Sequence, residues 1–281
     1  MPTRLRTDPD WLNQPPLLDL PGVSNADPFL QGLPAVAPDN LDGVRGPEKD
    51  RRLGREFENR VAAAVQASPG LELVARNLQI FDNHRTLGEL DMLVRDKARD
   101  VLMHWEITVK FYLGLTPDHW PGPNPADSLG QRAKRLLEHQ FPMLHNTVCQ
   151  QLLQSRGWSV QEQYLFSRGR LFYPAGQHWP APKHSHAPHL HGQWWTEQQL
   201  TRQPHHWQPL EKSEWLQPPS MSDNQHNWLA SNQMIDYVEA AGRPVMALRH
   251  VPAATAQPDF IVPQRWLDDA RSAQSFAQPA T

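Results

Sequence analysis

The stretch GELDMLVRDKARDVLMHWEITVKF, residues 88–111, decides the fold. It predicts two strands, at 86–95 and 100–112, joined by the polar turn Asp96–Asp100. Alternate side chains of a strand lie on the same face. Each strand therefore has one apolar face and one polar face that includes acids. The polar face carries Glu89 and Asp91 on the first strand, and His104, Glu106, Thr108 and Lys110 on the second.

Outward from this hairpin, the pattern predicts one helix and one strand before it and one of each after it. The predicted elements are a helix at 51–67, strands at 71–80, 86–95 and 100–112, a long helix at about 127–154, and a strand at about 159–172. Pro142 should kink the long helix or split it in two. The order helix, three strands, helix, strand predicts an α/β fold on a small mixed sheet.

The flanking segments predict additions to this core. We interpret residues 1–50 as an N-terminal arm that packs on the core 51–173, and residues 174–281 as a C-terminal extension of mixed α+β structure and loops. The extension is irregular and rich in Pro, His and Trp, with a helix predicted at 227–240 and short strands near 245–248 and 260–262. Its tryptophans are expected to fill a small core under long loops.

Composition limits the classes of function. The net charge of -3 provides no strongly basic field, so nucleic-acid binding would depend on a local patch. The single cysteine, Cys149, excludes both an intrachain disulfide and a cysteine-rich zinc site. No signal-like or membrane-spanning apolar run is present, which predicts a soluble cytoplasmic protein.

The acidic strand faces suggest chemistry as well as solvation. Carboxylates that converge on one face of a sheet suit a hard divalent cation such as Mg²⁺ or Mn²⁺, and a nearby lysine can orient water or offset charge. Acids and lysines on one strand face are also typical of a solvated surface with weak ion pairs. The strands alone leave both interpretations open.

The motifs around these strands resemble a known superfamily. GELDMLV (88–94) followed by HWEITVKF (104–111) is similar to the centre of the PD-(D/E)XK nuclease superfamily, and LGREFENR (53–60) looks like its first helix. The resemblance implies a metal-dependent nuclease acting on DNA or RNA. More narrowly, the whole chain resembles an uncharacterised bacterial family, a domain of unknown function, through DPDWLNQPPLL, LGREFE, GELDMLV, HWEITVKFYLG, SRGRLFYP and GQWW.

The superfamily resemblance implies a role for each matching residue. Asp91 and Glu106 would be direct metal ligands, Glu58 would hold the metal through water, and Lys110 would position the attacking water. Glu89, on the face of Asp91, is a substitute ligand. The later helix carries polar and basic residues where the superfamily contacts phosphate; with the arginines of the first helix, the candidates for binding nucleic acid are Gln131, Lys134, Arg55, Arg51 and Arg52.

One position keeps two classes of function open. Thr108 stands two residues before Lys110, where the superfamily has an acid, and Glu106 stands four residues before it. A β-bulge would bring Glu106 into place; alternatively, Glu106 binds the metal and Lys110 is displaced from the water. If Thr108 takes the place of the acid, the site is weakened and the chain is a non-catalytic nucleic-acid-binding or scaffold module. Carboxylates of Asp91 and Glu106 close enough to share one cation would favour the enzyme. A third interpretation, a zinc hydrolase, would require His184, His186, His189 and His191 to converge.

Overall fold

The computed structural model describes residues 10–31, 53–83, 85–219, 227–250 and 257–277. This part of the chain contains eight α-helices and ten strands. The helices are α1 Asp10–Asn13, α2 Asp27–Leu30, α3 Leu53–Ala67, α4 Leu129–Arg135, α5 Thr147–Ser155, α6 Glu197–Leu200, α7 Ser231–Ala241 and α8 Gln264–Ala277. The strands are β1 Ser24–Asn25, β2 Leu71–Asp82, β3 Arg85–Asp96, β4 Val101–Leu113, β5 Val160–Pro174, β6 His191–Thr196, β7 His206–Pro209, β8 Leu229–Ala230, β9 Val245–His250 and β10 Gln257–Val262.

The chain divides into two compact units. The first comprises Met1–Val109 and Arg132–Arg168, and the second comprises Lys110–Gln131 and Gly169–Thr281. Strands β4 and β5 and helix α4 each contribute residues to both units.

In the first unit, the predicted helix and three strands form as expected. Strands β2 and β3 pair antiparallel, and β3 pairs antiparallel with β4 through Met92↔Trp105, Leu93↔His104 and Val94↔Met103. The buried face of α3 contains Phe57 and Val61. A second buried cluster joins the strands to the later helical stretch: Leu78, Ile80, Leu90, Leu93, Leu102, Leu144, Cys149 and Leu153. Burial of Cys149 in this cluster explains its place in the apolar stripe of the sequence.

The predicted long helix is split, as Pro142 indicates. Helix α4 passes into a π-helical segment at Leu136–Gln140 and a 3-10 segment at Phe141–His145, with Pro142 in its first turn. Helix α5 then starts anew, because the Asn146 side chain accepts hydrogen bonds from the backbone N–H of Val148 and Cys149 and caps it. The split changes which side chains of this stretch face the sheet.

Described residues of the N-terminal segment lie on the first unit. Strand β1 pairs in parallel with the first part of β5, and Leu17 and Leu18 are fully buried. The Arg168 side chain is also fully buried and donates to the carbonyls of Trp11 and Leu12 and, at 2.8 Å, to Asp27 Oδ1. This buried arginine satisfies backbone groups that would otherwise lack partners. Residues 1–9 and 32–50 of the predicted arm, and Arg51 and Arg52 at the start of the predicted helix, lie outside the described residues.

The second unit corrects the prediction of a small sheet with irregular additions. Residues 174–281 supply five strands, β6 to β10, and the order in this unit is β5-β6-β10-β9-β7-β8. In the described part of the chain, the mixed sheet contains ten strands. Sequence periodicity missed β6 and β7 because each is short and interrupted by polar residues. Its tryptophans are confirmed as core residues: Trp194, Trp195, Trp207, Trp215 and Trp266 are buried.

A buried ion pair lies at the centre of the second unit. The Asp259 carboxylate is 0% exposed and accepts hydrogen bonds from Arg249 Nε at 2.7 Å, Trp195 Nε1 at 3.0 Å and Gln193 N at 2.8 Å. These donors compensate for the removal of its charge from water. Among the described residues, no helix is both long and apolar enough to cross a membrane.

Candidate active site

The two predicted acidic strands meet at Asp91 and Glu106 of the first unit. The β3–β4 ladder runs as far as Met92↔Trp105. Beyond this pair, the backbone N–H of Ile107 in β4 donates instead to a side chain of β3, Asp91 Oδ2, at 2.9 Å. This side-chain bond holds the Asp91 carboxylate over β4 at the level of Glu106.

The side chains of Asp91 and Glu106 interact electrostatically, and burial is the main cause of the raised pKa of each. The pKa of Glu106 is raised to about 7 by burial; the charge of Arg132 lowers it, and the charges of Glu89 and Glu58 raise it. Burial, and then the charge of Glu106, raises the pKa of Asp91 well above its usual value. Both acids are therefore protonated more readily than an exposed carboxyl group.

Glu106 is unusually deep for an acid, with no solvent-exposed area. Gln140 Nε2, from the π-helical segment, donates to its Oε2 at 2.6 Å. His104 Nε2 lies 3.2 Å from its Oε1, but the two atoms are not aligned for a hydrogen bond, and Oε1 has no hydrogen-bond partner among the described residues. Burial lowers the pKa of His104 to about 4, so this histidine is neutral. One oxygen of this fully buried acid is thus left without a donor.

A second pair of acids is joined through an asparagine. Asn77 Nδ2 donates to Glu89 Oε1 at 2.9 Å and lies 3.4 Å from Glu58 Oε2. Asn77 has a positive φ of 47°, a conformation that asparagine tolerates better than most residues and that turns its side chain toward these acids. Burial raises the pKa of Glu58, the bond from Asn77 lowers it, and the charge of Glu89 raises it. Both acids also raise the pKa of Glu106, so the four carboxyl groups form one electrostatic cluster.

The other predicted residues are placed differently. Lys110 belongs to the second unit, where its Nζ lies 2.7 Å from Asp127 Oδ2. Gln131, also in that unit, is exposed, and its backbone N–H donates to Ser128 Oγ. In the first unit Lys134 and Arg55 are exposed, and the charge of Arg55 lowers the pKa of Glu58. Arg55 is therefore the member of this set that interacts with the acidic cluster.

The residues at the cluster that sequence reasoning missed are Gln140, Arg132 and Asn77. Arg132, Leu136 and Gln140 follow one another at intervals of four residues. This helical spacing places the three side chains on one side of the stretch. That spacing was readable in the sequence, but the side that faces the sheet was not. The positive φ of Asn77 cannot be predicted from the alternation of side chains along a strand.

The donor set fits a hard divalent cation. Asp91 and Glu106 supply two neighbouring carboxylates. The buried Oε1 of Glu106 has no hydrogen-bond donor among the described residues, and a bound cation would supply the missing partner. Mg²⁺ is commonly held by one or two carboxylates, with water and substrate completing its shell. Within the described ranges, no group of three or more His, Cys, Asp or Glu side chains is arranged to hold a metal ion. The fit is therefore to a two-carboxylate site.

The histidine-rich segment of the second unit is organised by other contacts. Tyr173 OH lies 3.0 Å from His189 Nε2, and His189 Nδ1 lies 2.7 Å from the carbonyl of His186. Both ring nitrogens of His189 are thereby engaged. His186 Nδ1 lies 2.9 Å from the carbonyl of Pro188. The described histidines form no metal-binding group, so the zinc interpretation gains no support.

Comparison with protein families found a match over most of the chain. The model of the family described as Domain of unknown function (DUF1853) matches residues 20–259. Comparison with curated proteins and with solved structures found no match.

Proposed function

This chain belongs to the DUF1853 family, and from its own geometry we propose that it is a divalent-metal-dependent nuclease with a PD-(D/E)XK-like active site. The observation that carries the proposal is the pair of half-buried Asp91 and fully buried Glu106 at the same level of the β3–β4 hairpin, beside the further acids Glu58 and Glu89. Burying acids side by side is costly. Such an arrangement is typical of sites that bind cations or perform acid–base chemistry.

The proposed roles follow from the contacts. Asp91 and Glu106 hold Mg²⁺ or Mn²⁺ directly, and Glu58 acts through water. The Ile107 N–H orients Asp91, and Gln140 orients Glu106. When bound, the cation would polarise a phosphoryl oxygen of DNA or RNA and lower the pKa of a coordinated water. Lys110, which the sequence motif assigns to the attacking water, is held by Asp127.

Metal binding tests the proposal directly. We expect wild-type protein to bind Mn²⁺ in calorimetry and to cut a mixture of labelled duplex DNA, single-stranded DNA and RNA only in its presence. Asp91→Asn and Glu106→Gln should each weaken binding by about 100-fold or more and abolish cutting, because each removes a ligand charge. Asp100→Asn, which alters an exposed acid in the β3–β4 turn, is the matched control and should behave as wild type. Unchanged Mn²⁺ binding in both site variants would overturn the proposal.

The alternative, a nucleic-acid-binding module that does not cut, rests on two observations. Thr108 replaces the acid of the motif, and Lys110 is engaged by Asp127 rather than unpaired. Under this alternative, wild type should bind the labelled nucleic acids with no cleavage in Mg²⁺ or Mn²⁺, and Asp91→Asn should bind them at least as tightly as wild type, since an acid near phosphate has been neutralised.

A further inference from the structure

We infer that Arg132, rather than Lys110, is the cation that binds the substrate phosphate beside the Asp91–Glu106 pair. The inference rests on the proposed function and names a residue that the sequence motif does not contain. The resemblance assigns Lys110 to the attacking water and offers Gln131 and Lys134 for contact with phosphate; the inference assigns that contact to Arg132.

The first support is the side of the helical stretch on which Arg132 lies. Arg132, Leu136 and Gln140 follow one another at steps of four. Leu136 is fully buried, and Gln140 donates directly to the Glu106 carboxylate. Arg132 therefore shares the side of the stretch that faces the acids, whereas Lys134 and Arg135 are exposed.

The second support is the environment of the guanidinium. Arg132 is half-buried, and its Nε is buried without a hydrogen-bond partner among the described residues. Its charge acts on Glu106, whose pKa it lowers against the effect of burial. Glu106 is itself fully buried and has one unpartnered oxygen. The unpartnered Nε of Arg132 and the unpartnered Oε1 of Glu106 are contacts that a phosphate and its bound cation would complete.

The third support is that Lys110 is already engaged. Its ammonium lies 2.7 Å from Asp127 Oδ2, and both residues belong to the second unit. A lysine that binds phosphate would first have to give up this ion pair. Arg132 forms no ion pair with a carboxylate among the described residues, and its charge acts on Glu106 through space.

This placement predicts opposite effects of one substitution on two ligands. Arg132→Gln removes an attraction for phosphate and, at the same time, a repulsion for a cation held by Asp91 and Glu106. The variant should therefore bind nucleic acid more weakly and Mn²⁺ more tightly. A purely structural role would not move the two affinities in opposite directions.

The experiment measures both affinities on the full chain. The first probe is a fluorescein-labelled oligonucleotide, followed by anisotropy in EDTA, so that no divalent cation contributes to its binding. The second probe is Mn²⁺ alone, followed by calorimetry. For Arg132→Gln we expect the oligonucleotide Kd to rise by about tenfold or more and the Mn²⁺ Kd to fall about threefold.

Three further variants keep the test decisive. Arg135→Gln removes the same charge from an exposed position of α4 and should change either Kd by no more than about twofold. Lys110→Gln should leave oligonucleotide binding within the same limit. Arg132→Lys keeps the charge without the guanidinium fork and should fall between wild type and Arg132→Gln; it also serves if the glutamine variant fails to fold.

The outcomes separate this inference from the proposed function. Equal effects of Arg132→Gln and Arg135→Gln on the oligonucleotide, or a loss confined to Lys110→Gln, would overturn the assignment of Arg132 even if metal-dependent cutting is found. A second outcome is that no variant binds Mn²⁺ while Arg132→Gln alone loses oligonucleotide affinity. That result would contradict the proposed nuclease function and leave Arg132 as the phosphate-binding residue of a binding module.

Discussion

Glu106 makes the stability of this protein depend on pH in an unusual direction. Its pKa in the folded chain is about 7, against an ordinary value of 4.5, so the folded state binds more protons than the unfolded state between these values. The stabilisation is complete below about pH 4.5 and is lost as the pH rises through 7. The loss attributable to this one fully buried group is on the order of 3 kcal/mol.

We therefore predict that the free energy of unfolding, measured by urea titration in EDTA, falls as the pH is raised from about 5 to about 8. Glu106→Gln keeps the shape and the acceptor for Gln140 but cannot ionise, so it should remove most of this fall. A Glu106→Gln protein with the wild-type pH dependence would show that the proton is held elsewhere.

At the scale of single elements, β5 depends on a glycine. Gly169 has a φ of +140°, and a Cβ at this position would lie 1.7 Å from the backbone oxygen of Lys110. Both residues belong to the second unit, and neither backbone can move without disturbing a strand. A side chain here therefore combines backbone strain with a clash.

Gly169→Ala should consequently lower the free energy of unfolding by about 3 kcal/mol or more, measured by urea titration or as poor recovery of soluble protein. Gly54→Ala is the control, since a Cβ at Gly54 in α3 meets nothing within 4 Å. That variant should be neutral or slightly stabilising. Similar losses in the two variants would contradict the role of the close approach.

Attachment of the N-terminal segment depends on one side chain of β5. Arg168→Met should leave the carbonyls of Trp11 and Leu12 and the Asp27 carboxylate without their donor, at a cost of about 3–5 kcal/mol. We expect limited proteolysis to cut within residues 10–31 faster in this variant. Arg156→Met, which alters a surface arginine after α5, should leave the pattern of cutting unchanged.

The elements show what could be read from the sequence. Strand parity correctly assigned Asp91 and Glu106 to one side of the β3–β4 hairpin, because side-chain alternation is a local property. Parity did not reveal that this side is buried at Glu106, since that depends on the segment 136–145, whose π and 3-10 geometry brings Gln140 onto the acid. The ion pair of Lys110 with Asp127 likewise depends on tertiary structure and could not be read from the sequence.

At the scale of the whole molecule, the size of the sheet was underestimated for a related reason. Strands β6 and β10 pair in parallel although about 60 residues separate them in sequence, and β9 pairs with both β10 and β7. Such distant pairing has no local signature. The apolar stretches 245–248 and 260–262 were recognised as strands, but their neighbours in the sheet were not predictable from periodicity.

A cation that binds only the folded chain should stabilise the whole molecule. We predict that saturating Mn²⁺ raises the Tm of wild type and leaves that of Glu106→Gln unchanged, because ligand binding adds stability in proportion to the logarithm of its concentration over Kd. Asp259→Asn, in the buried ion pair of the second unit, should lower the Tm but keep the Mn²⁺-dependent rise. Loss of that rise in Asp259→Asn would contradict a cation site confined to Asp91 and Glu106.

The unpartnered oxygen of Glu106 has a consequence for engineering. An acid buried without full compensation lowers stability, and function is the usual reason that such a residue persists. A library of this protein sorted for heat resistance alone, with no assay of activity, should therefore enrich replacements at position 106. The most heat-resistant variants from such a library would therefore have lost the acid on which the proposed chemistry depends.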